Sequence, residues 1–227
     1  MLKKWDRLPK ELQTEAVRPY YDYLQKKKVS LFIKRVFDIF ASAIMIILLS
    51  PIFAIVAIRI KVDDPGPVFY RQVRVTQYCK EFRIFKFRTM VMNADKIGAQ
   101  VTSHNDPRIT KSGNFLRKYR IDELPQLFNI LLGEMTFVGT RPEVPKYVSE
   151  YSDEMKATLL LTAGVTAEAS IMFKDEAELL KDVKDVDSAY IEKVLPRKMD
   201  YNLEQLKHFN LWHDCMLLFK TLKAVIE

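Results

Sequence analysis

From Ile39 to Ile58 the chain reads IFASAIMIILLSPIFAIVAI, twenty residues without a charge. As a helix rising about 1.5 Å per residue, that run matches a hydrocarbon core of about 30 Å. A soluble core helix seldom lacks polar positions so completely, so membrane attachment is the first constraint on the fold. A cleavable leader does not fit, because many charged residues precede the run and no small-residue cleavage site separates it from Arg59 and Lys61. Two features bear on topology. Ser50-Pro51 interrupts the run, and proline removes a backbone donor and clashes with the Ile47 carbonyl. Cations flank both ends, Lys26, Lys27, Lys28, Lys34 and Arg35 before it and Arg59 and Lys61 after it. A hairpin folded back at Ser50-Pro51 puts both ends on the cytoplasmic side, as the positive-inside preference asks, with the Ser50 hydroxyl serving a freed backbone group. From these residues alone a kinked spanning helix stays open beside the re-entrant hairpin. Asp38, where the run begins, reads either as a partner of Lys34 or Arg35 or as an ordinary helix-start residue.

The formal charge of +7 is unevenly spread. Residues 1–120 carry 24 Lys plus Arg against 10 Asp plus Glu, and residues 121–227 carry 12 against 19. An anionic partner on the basic side is expected. Six glycines trace neither G-x-G-x-x-G nor G-x-x-x-x-G-K-[ST], which removes the two commonest nucleotide cradles. Cys79, Cys215 and three histidines cannot build a zinc site of ordinary pattern.

The remainder reads as helix-rich α+β. Residues 1–30 form an interfacial arm, with Tyr20, Tyr21 and Tyr23 before a lysine triplet, although a solvated arm fits the same pattern. Residues 31–61 are the membrane segment and 62–227 one domain sitting on the membrane. After the turn Asp63 to Pro67, VFYRQVRV and KEFRIFKF read as a β-hairpin, made basic by Arg71, Arg74, Lys80, Arg83, Lys86 and Arg88. Asn105 to Thr110 is a turn. Helical patterns follow at Gly113 to Tyr119, Leu124 to Leu132, Pro145 to Ser149, Asp175 to Lys181, and Asp187 to Val225.

Three short stretches carry candidate chemistry. IDELPQ sets Asp122 beside Glu123 before an apolar helix. Such carboxylates commonly cap or complement a helix start. Placed near Arg117, Lys118 and Arg120, they also suit Mg²⁺, and one of them can attack phosphorus. Repulsion within the pair raises one pKa. VGTRPE presents Arg141 between a glycine-bearing turn and Pro142, where its fork suits a phosphate or simply caps a helix. Lys86, Arg88 and Thr89 in KFRTM read as diphosphate donors or as a solvated strand edge.

KRVFD (Lys34 to Asp38), the run broken at Ser50-Pro51, GPVFYRQVRV (Gly66 to Val75), KFRTM (Lys86 to Met90), DPRIT (Asp106 to Thr110), FLRKYRIDELPQLFN (Phe115 to Asn129) and VGTRPE (Val138 to Glu143) follow one another in this order. Over about residues 31–225 the chain thereby resembles the bacterial sugar transferase family, the monotopic phosphoglycosyl transferases acting on polyprenyl phosphate. The resemblance implies transfer of a phosphosugar from a UDP-sugar to undecaprenyl phosphate with release of UMP and with Mg²⁺ as cofactor. It implies Asp122 as the nucleophile of a covalent phosphosugar intermediate and Glu123 as the partner in Mg²⁺ and proton handling. Arg117, Arg141 and Pro142 match positions at the substrate's phosphates. It also implies a cytoplasmic catalytic domain over residues 62–227, a re-entrant hairpin at Ser50-Pro51, interfacial amphipathic helices, and residence on the cytoplasmic face of the bacterial inner membrane among anionic lipids, with no nucleic-acid partner. The rival reading is a membrane-tethered lipid- or nucleic-acid-binding module without catalysis. Asp214 is a further residue that could support the site. The chain departs from the family pattern at three places. The usual R-x-G-x-x-G reads Arg74 to Cys79 without either glycine, GPRPE reads GTRPE, and P-G-[IV]-T-G-x-A-Q reads AGVTAEAS at Ala163 to Ser170.

Overall fold

The computed structural model describes residues 2–94, 106–173 and 185–226. In chain order the elements are α1 (Arg18–Gln25), α2 (Lys28–Asp63), β1 (Phe69–Thr76), β2 (Lys80–Phe87), α3 (Lys111–Lys118), α4 (Gln126–Leu132), β3 (Met135–Val138), α5 (Pro145–Val148), β4 (Ala163–Thr166), α6 (Glu168–Met172), α7 (Val186–Ala189), α8 (Leu195–Lys207) and α9 (Leu211–Ile226). The architecture is helix-rich α+β. The helix expected at Asp175 to Lys181, like Asn105 of the expected turn, lies outside the described residues.

The membrane segment is one helix of 36 residues, longer than the expected 31–61 and continuous through Pro51. The break expected at Ser50-Pro51 is a local repair: Ser50 Oγ donates to the Ile47 carbonyl at 2.8 Å, the acceptor that proline cannot serve. One face of α2 meets the folded domain at helical spacing through Lys34, Asp38, Ser42, Ile46, Leu49, Phe53, Val56 and Ile60. The other face leaves Phe32, Phe40, Ile47, Leu48, Ile55 and Ile58 exposed. It is long and apolar enough to cross a membrane.

Polar contacts pin both ends of α2 to the same domain. Near its start, Lys34 pairs with Asp214 of α9. Arg35 donates to the Ile130 and Leu131 carbonyls at the end of α4. Asp38 accepts from Thr136 Oγ1 at 2.7 Å and from the Phe137 amide at 3.3 Å. Asp38 therefore lies inside the helix as a clamp onto β3, not at a helix start. At the other end, the Ser112 amide donates to Asp63 Oδ2 at 2.8 Å, and Arg88 pairs with Asp64.

The basic β-hairpin forms as expected, β1 against β2 antiparallel from Phe69↔Phe87 to Thr76↔Lys80. Of the two positions that lack the family's glycines, Thr76 is extended (φ −127°), whereas Cys79 has φ 59° and its neighbour Tyr78 has φ 62°. That is the left-handed region, which glycine enters most freely. The parallel pair β3–β4, with Met135 opposite Ala163 and Val138 opposite Thr166, was not read from the sequence. Four-residue strands carry too little alternation to stand out.

The N-terminal residues depart from the expected interfacial or solvated arm. Leu2, Leu8, Leu12, Val17, Tyr20, Tyr21 and Leu24 are buried in the largest core cluster with Tyr147, Tyr151, Leu160, Tyr190, Leu195 and Met199. The reason is physical: an amphipathic face satisfies a protein core as readily as a lipid surface, and burying each leucine or valine there contributes roughly 1.5–3 kcal/mol. The stretch expected as one long helix from Asp187 is α7, a π-turn at Tyr190–Val194, α8 and α9, with a break at 208–210. Helix α9 exposes Trp212, Met216 and Phe219 along one stripe.

Candidate active site

Asp122 and Glu123 stand on a 3-10 turn, Ile121–Glu123, that runs directly into α4. Arg120, just before it, has φ 55°, a left-handed conformation costly for a residue with a Cβ. The turn packs against β2, which supplies Lys86. Arg141 comes from the loop after β3. That loop is held where the Gly139 and Gly164 backbones meet so closely that a Cβ on Gly164 would lie 2.2 Å from the Gly139 nitrogen. Reciprocal amide bonds, Gly139 to the Thr166 carbonyl and Gly164 to the Thr140 carbonyl, both 2.9 Å, lock the crossing.

Glu123 is the hub. Lys86 Nζ donates to its Oε1 at 2.9 Å, and Arg141 donates to both its oxygens, with Nη1 to Oε2 at 3.2 Å. Arg141 Nη1 also donates to the Val165 carbonyl at 3.1 Å, tying the site to β4. Burial by itself would raise the Glu123 carboxyl, but the Arg141 and Lys86 cations hold it well below its ordinary range. Burial lowers the Lys86 ammonium, with Glu123 opposing. The Glu123 carboxylate, first among several causes, raises the Arg141 guanidinium.

Asp122 is different. It is buried, and its Oδ1 has no hydrogen-bond partner among the described residues. Burial, and after it the Glu123 charge, raises its carboxyl above the ordinary value, while Lys86, Arg117 and Arg120 pull the other way. The raised member expected from repulsion is thus Asp122, with desolvation the larger cause. Two adjacent carboxylates have been separated by environment: one saturated with cations and ionised, the other dry and unpartnered.

Arg117 closes α3 and is a source of positive potential on Asp122. Burial depresses its guanidinium, and Asp122 and then Asp106 oppose this. Pro142 is buried, and its carbonyl accepts from Arg74 Nη1 at 3.0 Å. Arg88 is engaged elsewhere, with Nη1 3.1 Å from Asp64 Oδ2 and Nη2 donating to the Asp64 carbonyl. Thr89 meets α3 through its backbone: its carbonyl accepts from the Thr110 amide, and a Cβ on Gly113 would sit 2.1 Å from that oxygen. Asp214 pairs with Lys34 on α2.

Sequence reasoning passed over two features. Glu143 is buried with Tyr190 Oη donating to it at 2.5 Å and Lys198 Nζ at 3.3 Å, so the motif's last residue anchors the Arg141 loop to α8. Gln126 is the other, a buried amide one turn beyond Asp122. Its place inside IDELPQ, where apolar positions surround it, was the available signal.

No group of three or more His, Cys, Asp or Glu with metal-holding geometry occurs among the described residues. The Asp122 Oδ1 atom, buried and unsatisfied, fits a hard cation completed by substrate oxygens, since Mg²⁺ is commonly held by one or two carboxylates plus phosphates. Glu123 has both oxygens committed to Lys86 and Arg141 and fits that role less well.

The chain is similar in sequence to several known proteins. Over 198 residues the chain is 36% identical to the UDP-N-acetylgalactosamine-undecaprenyl-phosphate N-acetylgalactosaminephosphotransferase of Aeromonas hydrophila, covering 86% of this chain and 44% of that protein. It is 33% identical over 216 residues to the UDP-glucose:undecaprenyl-phosphate glucose-1-phosphate transferase of Escherichia coli (strain K12), covering 93% and 44%. It is 34% identical over 216 residues to the undecaprenyl-phosphate galactose phosphotransferase of Salmonella typhimurium, covering 88% and 42%. The chain spans less than half the length of these relatives. The bacterial sugar transferase model matches residues 29–227, and with that span, nearly the whole chain from α2 onward, this protein belongs to the bacterial sugar transferase family.

Proposed function

We propose that this chain transfers a phosphosugar from a UDP-sugar to undecaprenyl phosphate in two steps through Asp122. The observation carrying the reading is the unpartnered, buried Asp122 Oδ1 beside a Glu123 already neutralised by Lys86 and Arg141. In the first step an Asp122 carboxylate oxygen attacks the phosphorus bearing the sugar. The bond from that phosphorus to the bridging oxygen breaks, and UMP leaves with the electron pair. In the second step a phosphate oxygen of undecaprenyl phosphate attacks the same phosphorus, and the Asp122 carboxylate leaves, free for another cycle.

Each residue has a distinct task. Arg141 and Lys86 hold Glu123 ionised, and their positive charge faces the transferring phosphoryl group. Arg117 adds to the same field. Mg²⁺, bound to Asp122 and to the phosphates, would supply charge neutralisation for both attacks. Burial of Asp122 keeps competing water from the aspartyl phosphate.

Attachment follows from α2. A helix whose two ends and middle all pack on one polar domain does not cross a bilayer without carrying that domain into hydrocarbon. We read α2 as monotopic on the cytoplasmic face of the inner membrane, with its exposed apolar face in one leaflet and the α9 stripe at the interface. Four of the six cations on the basic hairpin are engaged within the fold, which weighs against a nucleic-acid platform. Lys86, Arg74 and Arg88 hold partners, and Arg71 stacks 3.4 Å from the Phe85 ring centroid.

Incubating the purified chain with UDP-N-acetylgalactosamine, UDP-glucose or UDP-galactose and Mg²⁺, without acceptor, should give an intact mass increased by one phosphosugar. Asp122→Asn should abolish both adduct and UMP release. Undiminished turnover in that variant would remove Asp122 from the nucleophile's role. For α2, cysteines placed before Lys34 and after Lys61 should label from the same side of a vesicle, and labelling from opposite sides would overturn the one-leaflet reading.

A further inference from the structure

Among the described residues, three buried side-chain polar atoms without a hydrogen-bond partner belong to a single turn of chain: Asp122 Oδ1, Gln126 Oε1 and Gln126 Nε2. Gln126 is 1% exposed, less than the catalytic candidate itself at 8%. Burying an amide with neither its donor nor its acceptor satisfied is costly and rare in folded proteins. The carboxamide lies one helical turn beyond Asp122, at i to i+4, with both polar atoms free for a partner that arrives with the substrate.

Its location says which part of the substrate. Glu123, Gln126 and Asn129 are spaced by three along a helical stretch whose first bonds are of the i to i−3 kind, Leu124 to Ile121, Leu127 to Leu124 and Phe128 to Pro125. Residues three apart in such a stretch lie nearly one above another. Both flanking members face β2: Asn129 accepts from the Phe85 amide and donates to the Arg83 carbonyl, and Glu123 accepts from Lys86. Gln126 therefore sits between them, on the β2 side of the turn. Asn129 is satisfied and structural. Gln126 is not.

We propose that the Gln126 carboxamide donates a hydrogen bond to a non-bridging oxygen of the phosphoryl group that Asp122 attacks, making Gln126 a substrate-contacting residue of both half-reactions. This rests on the two-step reading above. Lys86 and Arg141 supply charge but are held by Glu123. A neutral N–H donor beside the nucleophile stabilises the transferring phosphoryl oxygens without adding a competing cation to Asp122.

The test uses the full chain in detergent with Mg²⁺, undecaprenyl phosphate and the same three UDP-sugars, measuring UMP release and thermal unfolding. Gln126→Met keeps length and volume but removes both polar atoms. It should lower kcat/KM at least tenfold while leaving the unfolding midpoint equal or raised, since an unsatisfied amide has been replaced by apolar atoms. Gln126→Glu keeps an accepting oxygen and no amide donor, and should be at least as impaired at neutral pH. Wild-type turnover in either variant overturns the proposal. A midpoint in Gln126→Met that falls together with activity also overturns it, because the residue would then be packing. If wild type releases UMP and Asp122→Asn does not, the two-step reading stands whatever Gln126 does. If wild type releases none from any donor, both fall together.

Discussion

Replacing Glu123 by glutamine removes the anion on which the site's two best-placed cations converge. Removing one partner of a fully buried ion pair costs about 3–5 kcal/mol, because the other charge is left without compensation. Here the side chains of Glu123, Lys86 and Arg141 keep 12%, 20% and 30% of their exposure. Water screens part of the loss, and the expected cost is about 2–3 kcal/mol. At about 2–4 °C per kcal/mol for a chain of this size, the unfolding midpoint at pH 7 should fall by about 4–12 °C. The sign with pH follows from the depressed Glu123 carboxyl. Its stabilisation is fully present above the ordinary glutamate value of 4.5 and is lost as pH falls through the lower folded value. The gap between wild type and Glu123→Gln should therefore be constant from pH 5 to 7 and narrow only in strong acid. Adding Lys86→Met to Glu123→Gln should cost less than Lys86→Met costs in wild type, since the pair shares one interaction. Intrinsic fluorescence of the detergent-solubilised chain during heating reads all of this. A midpoint shift below 1 °C, or additive costs in the double variant, would refute the idea that Glu123 is the electrostatic hub.

Four further outcomes are expected. Because burial raises Asp122, the acid limb of kcat/KM for UMP release should lie above pH 4, where an ordinary aspartate titrates, and a limb at or below 4 would contradict a dry nucleophile. The same raised value means the fold favours neutral Asp122, a contribution present below its unfolded value and lost as pH rises through the folded one. Asp122→Asn should consequently unfold no lower than wild type at pH 7. Lys34→Met and Asp214→Leu should each lower the midpoint by about 4 °C or more as single changes, and the double change should restore much of the loss, as differential scanning fluorimetry would record. Cys79→Gly relieves a left-handed backbone costing roughly 1–2 kcal/mol and gives back about 0.5–1 in chain entropy, so the midpoint should rise by about 2 °C.

How much of this was legible in the sequence follows the range of the forces involved. The run at Ile39 to Ile58 and the hairpin strands announce themselves, because hydropathy and β-branched residues act locally. Asp122, Glu123, Lys86 and Arg141 could be named from residue type and motif, and the fold brings these four together. The family resemblance divides the roles of the two carboxylates, but their different surroundings could not be read from the residues themselves, because those depend on which carboxylate the cations reach, and Glu123 is reached while Asp122 Oδ1 is not. Arg88 carries the same charge as Lys86 two residues away, yet a partner at the end of α2 claims it. The β3–β4 pair and the burial of the apolar face of residues 2–24 were hidden for a related reason. Both are decided by partners far along the chain, Ala163 for Met135 and Tyr147 or Leu160 for the N-terminal leucines.

On the proposed reading, the arrangement also accounts for how a buried acidic pair would serve a lipid substrate. Helix α4 begins directly after the Asp122–Glu123 turn and ends where its Ile130 and Leu131 carbonyls receive Arg35 of α2. Its Leu127 and Ile130 pack with Ile46, Leu49 and Phe53 of that helix. Asp122 precedes Ile130 by eight residues, roughly 12 Å of helix, so its carboxylate stands about that far from the Arg35 contact. A lipid phosphate lies at the headgroup level, just above the hydrocarbon that would receive the outer face of α2. A single short helix braced on α2 therefore sets the height of the nucleophile. The contacts at both ends of α2 would keep that height constant while, on the proposed two-step route, donor and acceptor occupied the site in turn.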